Sequence, residues 1–140
     1  MSTESDILGS CRTVAVVGLS PNAERASYRV AEYLKEHGYQ VIPVNPMAPE
    51  VLGEVCYPDL AAVPGKVEIV DIFRRGSDVP PIVEQAIKIG ARAVWMQEGV
   101  VNDVAAARAR EAGLAVVMDK CIRKAHEQLS GSGRGEPREA

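Results

Sequence analysis

The sequence predicts an α/β fold, a doubly wound parallel sheet of about five strands with helices on both faces. Strand-like apolar runs alternate with helix-like segments along almost the whole chain. The later runs, Val67 to Phe73, Ala93 to Met96 and Leu114 to Met118, are nearly continuous apolar sequence, as expected of parallel strands buried on both faces. Right-handed crossovers between such strands leave a doubly wound sheet as the solution.

The elements follow in order. A short helix near Glu4 to Ser10 has Thr3 as its cap and Asp6 placed as in a capping box. The first strand runs from about Arg12 to Val17. The segment from Ser27 to His37 sets Val30, Ala31, Leu34 and Tyr33 on one helical face, with Ser27 as N-cap and Gly38 as the left-handed residue that ends it. The second strand is Gln40 to Val44. A less regular stretch, Pro46 to Pro64, holds a short strand at Val55 to Tyr57 and a one-turn helix capped by Asp59. After the third long strand, Asp78 caps a helix carrying Ile82, Val83, Ala86 and Ile87 that Gly90 ends, and Asn102 caps an Ala-rich helix that Gly113 ends. A last helix follows Cys121. Residues 1–129 form one domain in this reading, and residues 130–140, with no apolar side chain able to anchor them, form a disordered tail.

Bulk properties exclude several classes. The 140 residues are 46% hydrophobic, enough for one core without metal or disulfide staples. The net charge of -3, with no Lys or Arg run, recruits neither nucleic acid nor an anionic membrane. Cys11, Cys56 and Cys121 are odd in number and lack CxxC spacing, which argues against a disulfide framework or zinc site and for a reducing cytoplasm. No apolar stretch approaches a membrane span, and the N-terminus does not read as a signal peptide.

In open α/β sheets a ligand lies at the carboxyl ends of the strands, so the residues after each strand carry the functional information. After the first come Gly18, Leu19 and Ser20, then Arg25 and Ser27 at a helix start, which offer backbone N–H groups, hydroxyls and a guanidinium to an anion. The bland alternative is a tight turn at Gly18 and a cap at Ser27. The turn lacks GxGxxG and the Gly-Lys-Ser/Thr of a P-loop. After the second strand stand Asn45 and Pro46, where a dinucleotide-binding enzyme carries Asp or Glu for the ribose hydroxyls. Phe73, Arg74 and Arg75 follow the third long strand and suit a nucleotide with an extra phosphate, or are merely solvated.

Trp95 reads as core, while Gln97, Glu98 and Gly99 form a polar cluster at the next strand mouth, able to hydrogen-bond an amide-bearing ligand. Cys121 is either a reactive thiol at a helix start or a small buried hydrophobe. His37 sits in a last helical turn and reads as structural. His126 has no partner set for catalysis, and Asp71, Glu98 and Asp119 form no assignable acid/base pair.

Read together, Val17-Gly18-Leu19-Ser20, Arg25-Ala26-Ser27-Tyr28, Gly38 through Pro46, Val70-Asp71-Ile72-Phe73-Arg74, Val94 through Gly99 and Asp119-Lys120-Cys121 resemble the small stand-alone CoA-binding proteins. These are related to the N-terminal CoA-binding domain of the succinyl-CoA synthetase alpha subunit. The resemblance covers about Arg12 to Leu129 and implies a Rossmann-like domain with CoA across the strand ends. It places Gly18, Ser20, Arg25 and Ser27 at the phosphates and Asn45 and Pro46 beside the adenosine. Phe73, Arg74, Gln97, Glu98 and Cys121 border the remainder. Ala26 stands where relatives often have Pro, and Ala125 precedes His126 where a Glu-His pair is usual. The resemblance does not carry the ligase reaction with it. The resulting expectation is a CoA or acyl-CoA carrier, sensor or partner subunit without an evident catalytic group. The alternatives are an NAD(P)-binding enzyme or sensor, and an interaction module with a vestigial nucleotide site.

Overall fold

The computed structural model describes residues 3–132. Five helices and seven strands follow in order: α1 (Thr3–Ser10), β1 (Thr13–Val17), α2 (Ala26–Glu36), β2 (Gln40–Val44), β3 (Glu50–Val51), β4 (Glu54–Val55), β5 (Ile69–Ile72), α3 (Val79–Lys88), β6 (Ala93–Met96), α4 (Asp103–Glu111), β7 (Ala115–Val117) and α5 (Ile122–Ser132).

Alternation along the strands builds the two faces of the sheet. Val14 and Val16 of β1 point with Ile69, Trp95 and Val117 toward α1, α2 and α5, where Ile7, Leu8, Val30, Leu34 and Ile122 complete one core. Ala15 and Val17 point with Val70, Ile72, Val94 and Met96 the other way, onto Val79, Val83, Ala105 and Ala109 of α3 and α4. The fold is therefore doubly wound, as expected. The main sheet is wholly parallel, in the order β2-β1-β5-β6-β7. The crossover from β1 runs to β2 on one side, and the chain then passes back across β1 to β5 and onward on the other, so the switch point lies between the carboxyl ends of β1 and β5.

The expected helix stops at Gly38, Gly90 and Gly113 have φ of +93°, +77° and +94°, and Asp59 and Asn102 cap by accepting from Ala62 N at 3.0 Å and Ala105 N at 2.9 Å. Five expectations need correction. Thr3 lies inside α1 rather than ahead of it. Ser27 is buried in the first turn of α2, two residues past the capping position, which falls to Arg25, whose side chain makes no cap bond.

Asp78 closes a 3-10 turn, Gly76 to Asp78, and makes no cap bond to α3. An N-cap carboxylate needs an N–H two or three residues on, and those positions are Pro80 and Pro81, which have none. The short strand expected at Val55 to Tyr57 is a two-stranded antiparallel ribbon, β3 with β4, turning through Leu52 and Gly53 at φ +56° and +76°, while Tyr57 alone bridges Val44. Helix α5 runs to Ser132, past the start of the expected tail; the rest of that tail lies outside the described residues.

Candidate functional site: a cleft at the switch point

The loop after β1 is held by its own short polar side chains. Gly18, at φ +89°, turns the chain so that its N–H reaches Val44 O of β2 at 2.8 Å. Ser20 Oγ accepts from Asn22 N at 3.0 Å, and Asn22 Oδ1 accepts from Glu24 N at 2.9 Å. Ser27 Oγ accepts from Ser20 N at 3.0 Å and so ties α2 to this loop. Because no side chain caps α2, the N–H groups of its first turn remain donors toward an anion, with the exposed Arg25 guanidinium beside them.

These residues line a cleft of about 830 Å³ at the carboxyl ends of the strands. Gly18, Ser20, Arg25, Ser27, Asn45, Phe73, Arg74, Gln97, Glu98 and Cys121 all border it. Pro46 lies instead on an adjoining, mostly apolar lobe of about 280 Å³ that shares Gly18, Arg74 and Asp78 with the cleft. A hollow of about 380 Å³ beside Thr13, Gln40 and Lys66 sits at the amino ends of β1 and β2, the wrong end of the sheet for a ligand. Met47, Arg75 and Asp78 also line the cleft. Sequence reasoning missed Met47, 87% exposed, although it directly follows the Asn45-Pro46 pair at a strand mouth.

Several side chains are committed to the scaffold. Asn45 donates through Nδ2 to Leu19 O at 2.9 Å and accepts at Oδ1 from Met47 N at 2.8 Å, so its amide joins the loops after β1 and β2. Trp95 is wholly buried and donates from Nε1 to Lys120 O at 2.9 Å, confirming its core role and anchoring the loop before α5. Asp119, at φ +61°, accepts from Gly99 N at 2.7 Å and links the loops after β6 and β7. Gln97 is buried beneath the cleft; its Oε1 accepts from Ile122 N at 3.1 Å, which leaves its amide N–H groups without a partner among the described residues. Cys121 is half-buried at the start of α5.

Charge in the cleft is unevenly compensated. Glu98 is paired with Lys124 at 3.1 Å, and Arg74 and Arg75 each approach Asp78 Oδ2 at 3.6 Å. Arg25 has no ion-pair partner among the described residues, and two guanidinium groups share the one Asp78 carboxylate, so the cleft carries net positive charge at both places. His126 is outside the cleft, bonded through Nδ1 to Tyr33 Oη at 2.7 Å, and burial, then the nearby His37 and Arg12, hold its pKa below the ordinary value. Asp71, in register with Val16 and Trp95, is fully buried, and neither carboxyl oxygen has a hydrogen-bond partner among the described residues. Burial pushes its pKa well above the usual carboxylate range. No group of three or more metal-ligating residues occurs among the described residues, and no described helix is long and apolar enough to cross a membrane.

A strand-to-helix turn rich in free donors, facing a cleft at the switch point of a parallel sheet, defines a Rossmann-like nucleotide-binding domain. The CoA binding domain model matches residues 12–127, and the chain belongs to that family. The uncharacterized protein YneT of Bacillus subtilis is 38% identical over 121 residues, 86% of this chain and 90% of YneT. A solved structure, the hypothetical protein from Pyrococcus horikoshii OT3, matches with a TM-score of 0.90 and 44% identity over 94% of each chain. The ADP-forming acetate–CoA ligase I of Archaeoglobus fulgidus is 33% identical over 74 residues, 53% of this chain but only 11% of the ligase.

Proposed function

We propose that this protein binds CoA or an acyl-CoA in the switch-point cleft and serves as a carrier, sensor or partner subunit. The observation that carries the reading is Arg25, without an ion-pair partner among the described residues, beside the uncapped first turn of α2 at one end of the cleft. Pyrophosphate fits that end by charge and by donor supply. Gln97, which lines the cleft and whose amide N–H groups have no partner among the described residues, suits the amide and thioester carbonyls of a pantetheine arm. The adjoining apolar lobe, with Pro46, Leu60 and Ile82, suits a nucleobase.

NAD is disfavoured, because the residue after β2 is Asn45 and both ends of its amide are occupied by backbone. The acids near the mouth are also engaged, Glu98 with Lys124 and Asp119 with Gly99, and Asp71 is sealed in the core, so the reading is one of binding. Titration calorimetry of ligand-free protein with CoA, acetyl-CoA, NAD and NADP tests it. Saturable binding of CoA, tighter than either dinucleotide, is expected; tighter NADP binding would replace the reading.

A further inference from the structure

Asp78 is the one acid in the cleft that its own helix has released. An aspartate just before a helix normally spends its carboxylate on the first-turn N–H groups, but α3 opens Val79-Pro80-Pro81 and offers none at the positions a cap would reach. The carboxylate turns instead to the two cations that follow β5. Its Oδ2 stands 3.6 Å from Nε of both Arg74 and Arg75, too far for a hydrogen bond and close enough for an ion pair. All three residues line the cleft, and Arg74 also lies against Gly18. Two loosely held guanidinium groups around one carboxylate match the charge and donor pattern of a phosphate monoester, which carries more charge than the carboxylate it would displace.

We propose that Asp78 is a resident competitor for the ligand's terminal phosphate. Its carboxylate holds Arg74 and Arg75 against weaker anions and yields them to a ribose-linked phosphate monoester, so Asp78 sets both the affinity and the phosphate selectivity of the cleft. This rests on the CoA reading above and deepens it, because CoA carries such a monoester and dephospho-CoA does not. Phosphodiesters and simple monoanions bring about as much charge as the carboxylate already there and gain nothing from the exchange.

The test compares the parent and Asp78→Asn by titration calorimetry with CoA and dephospho-CoA. Releasing two weak ion pairs should tighten CoA by about three- to tenfold. The gain for CoA should exceed the gain for dephospho-CoA at least about threefold on the same grounds. Equal gains for both ligands would reduce Asp78 to a background charge and overturn the inference, as would unchanged or weakened CoA binding in the variant. A parent that binds neither ligand would instead remove the CoA reading itself, and the inference with it. Should Asp78→Asn fold poorly, the arginine Nε–H resonances of the parent give the same answer. Shifts at Arg74 and Arg75 with CoA but not with dephospho-CoA support the exchange, and identical spectra with the two ligands overturn it.

Discussion

Gly18 and the Phe73 carbonyl are in such close approach that a methyl group on Gly18 would overlap the carbonyl oxygen and crowd Arg74 Cδ. Phe73 N donates to Val17 O at 2.8 Å, so this approach is where β1 and the end of β5 are joined at the mouth of the cleft. The residue is also at φ +89°, a conformation that side chains resist.

Gly18→Ala therefore combines backbone strain with a clash against main chain that cannot rotate away. A loss of about 2–4 kcal/mol is expected from the two effects together. Chemical denaturation measures it, and a variant within 0.5 kcal/mol or so of the parent would contradict the packing described.

Arg25 is exposed and has no ion-pair partner among the described residues, so its removal should separate binding from folding. Arg25→Ala should weaken CoA by about 1.5–3 kcal/mol, the worth of a charge-assisted hydrogen bond, and change stability by less than about 0.5 kcal/mol. Calorimetry and thermal melts on the same preparation decide it. Undiminished CoA affinity would move the phosphates elsewhere.

Ser27 should behave differently, because its hydroxyl supports the loop from below. Ser27→Ala leaves Ser20 N without its acceptor and should cost about 1–2 kcal/mol of stability. Amide exchange at Ser20 should quicken in the same variant; unchanged exchange there would show that the bond does not hold the loop.

Asp71 makes stability depend on pH with a defined sign. Its folded pKa lies well above that of an unfolded aspartate, so in the interval between the two the folded chain keeps a proton that the unfolded chain has lost. Stability then falls as pH rises through that interval, by about 1.4 kcal/mol per unit, and is fully retained only below the unfolded value. Asp71→Asn removes this slope. The difference between parent and variant stability should shift in the variant's favour with increasing pH, and parallel curves would show that Asp71 carries no such proton.

Much of the architecture was legible because it follows from local patterns. Continuous apolar runs announced β5, β6 and β7, and glycines ended α2, α3 and α4 where their positive φ is needed. The residues that line the cleft were legible as a set because the carboxyl ends of parallel strands must converge, so a residue's place after its strand is enough to put it at the mouth. The sequence also signals that Asp78 cannot cap α3, because Pro80 and Pro81 stand where its carboxylate needs an N–H.

What only the tertiary structure decided are the partners. Nothing in the order of residues shows that Ser27 reaches back to Ser20, that the Asn45 amide is used up between two loops, or that Gln97 spends one end on Ile122 and leaves the other open. Periodicity likewise marks β5 as buried but cannot tell that Asp71 is sealed between Val16 and Trp95 with no donor among the described residues. The physical reason is one of range. Propensity and periodicity act over a few residues and specify the elements, whereas hydrogen-bond saturation and charge compensation depend on atoms brought together from distant parts of the chain.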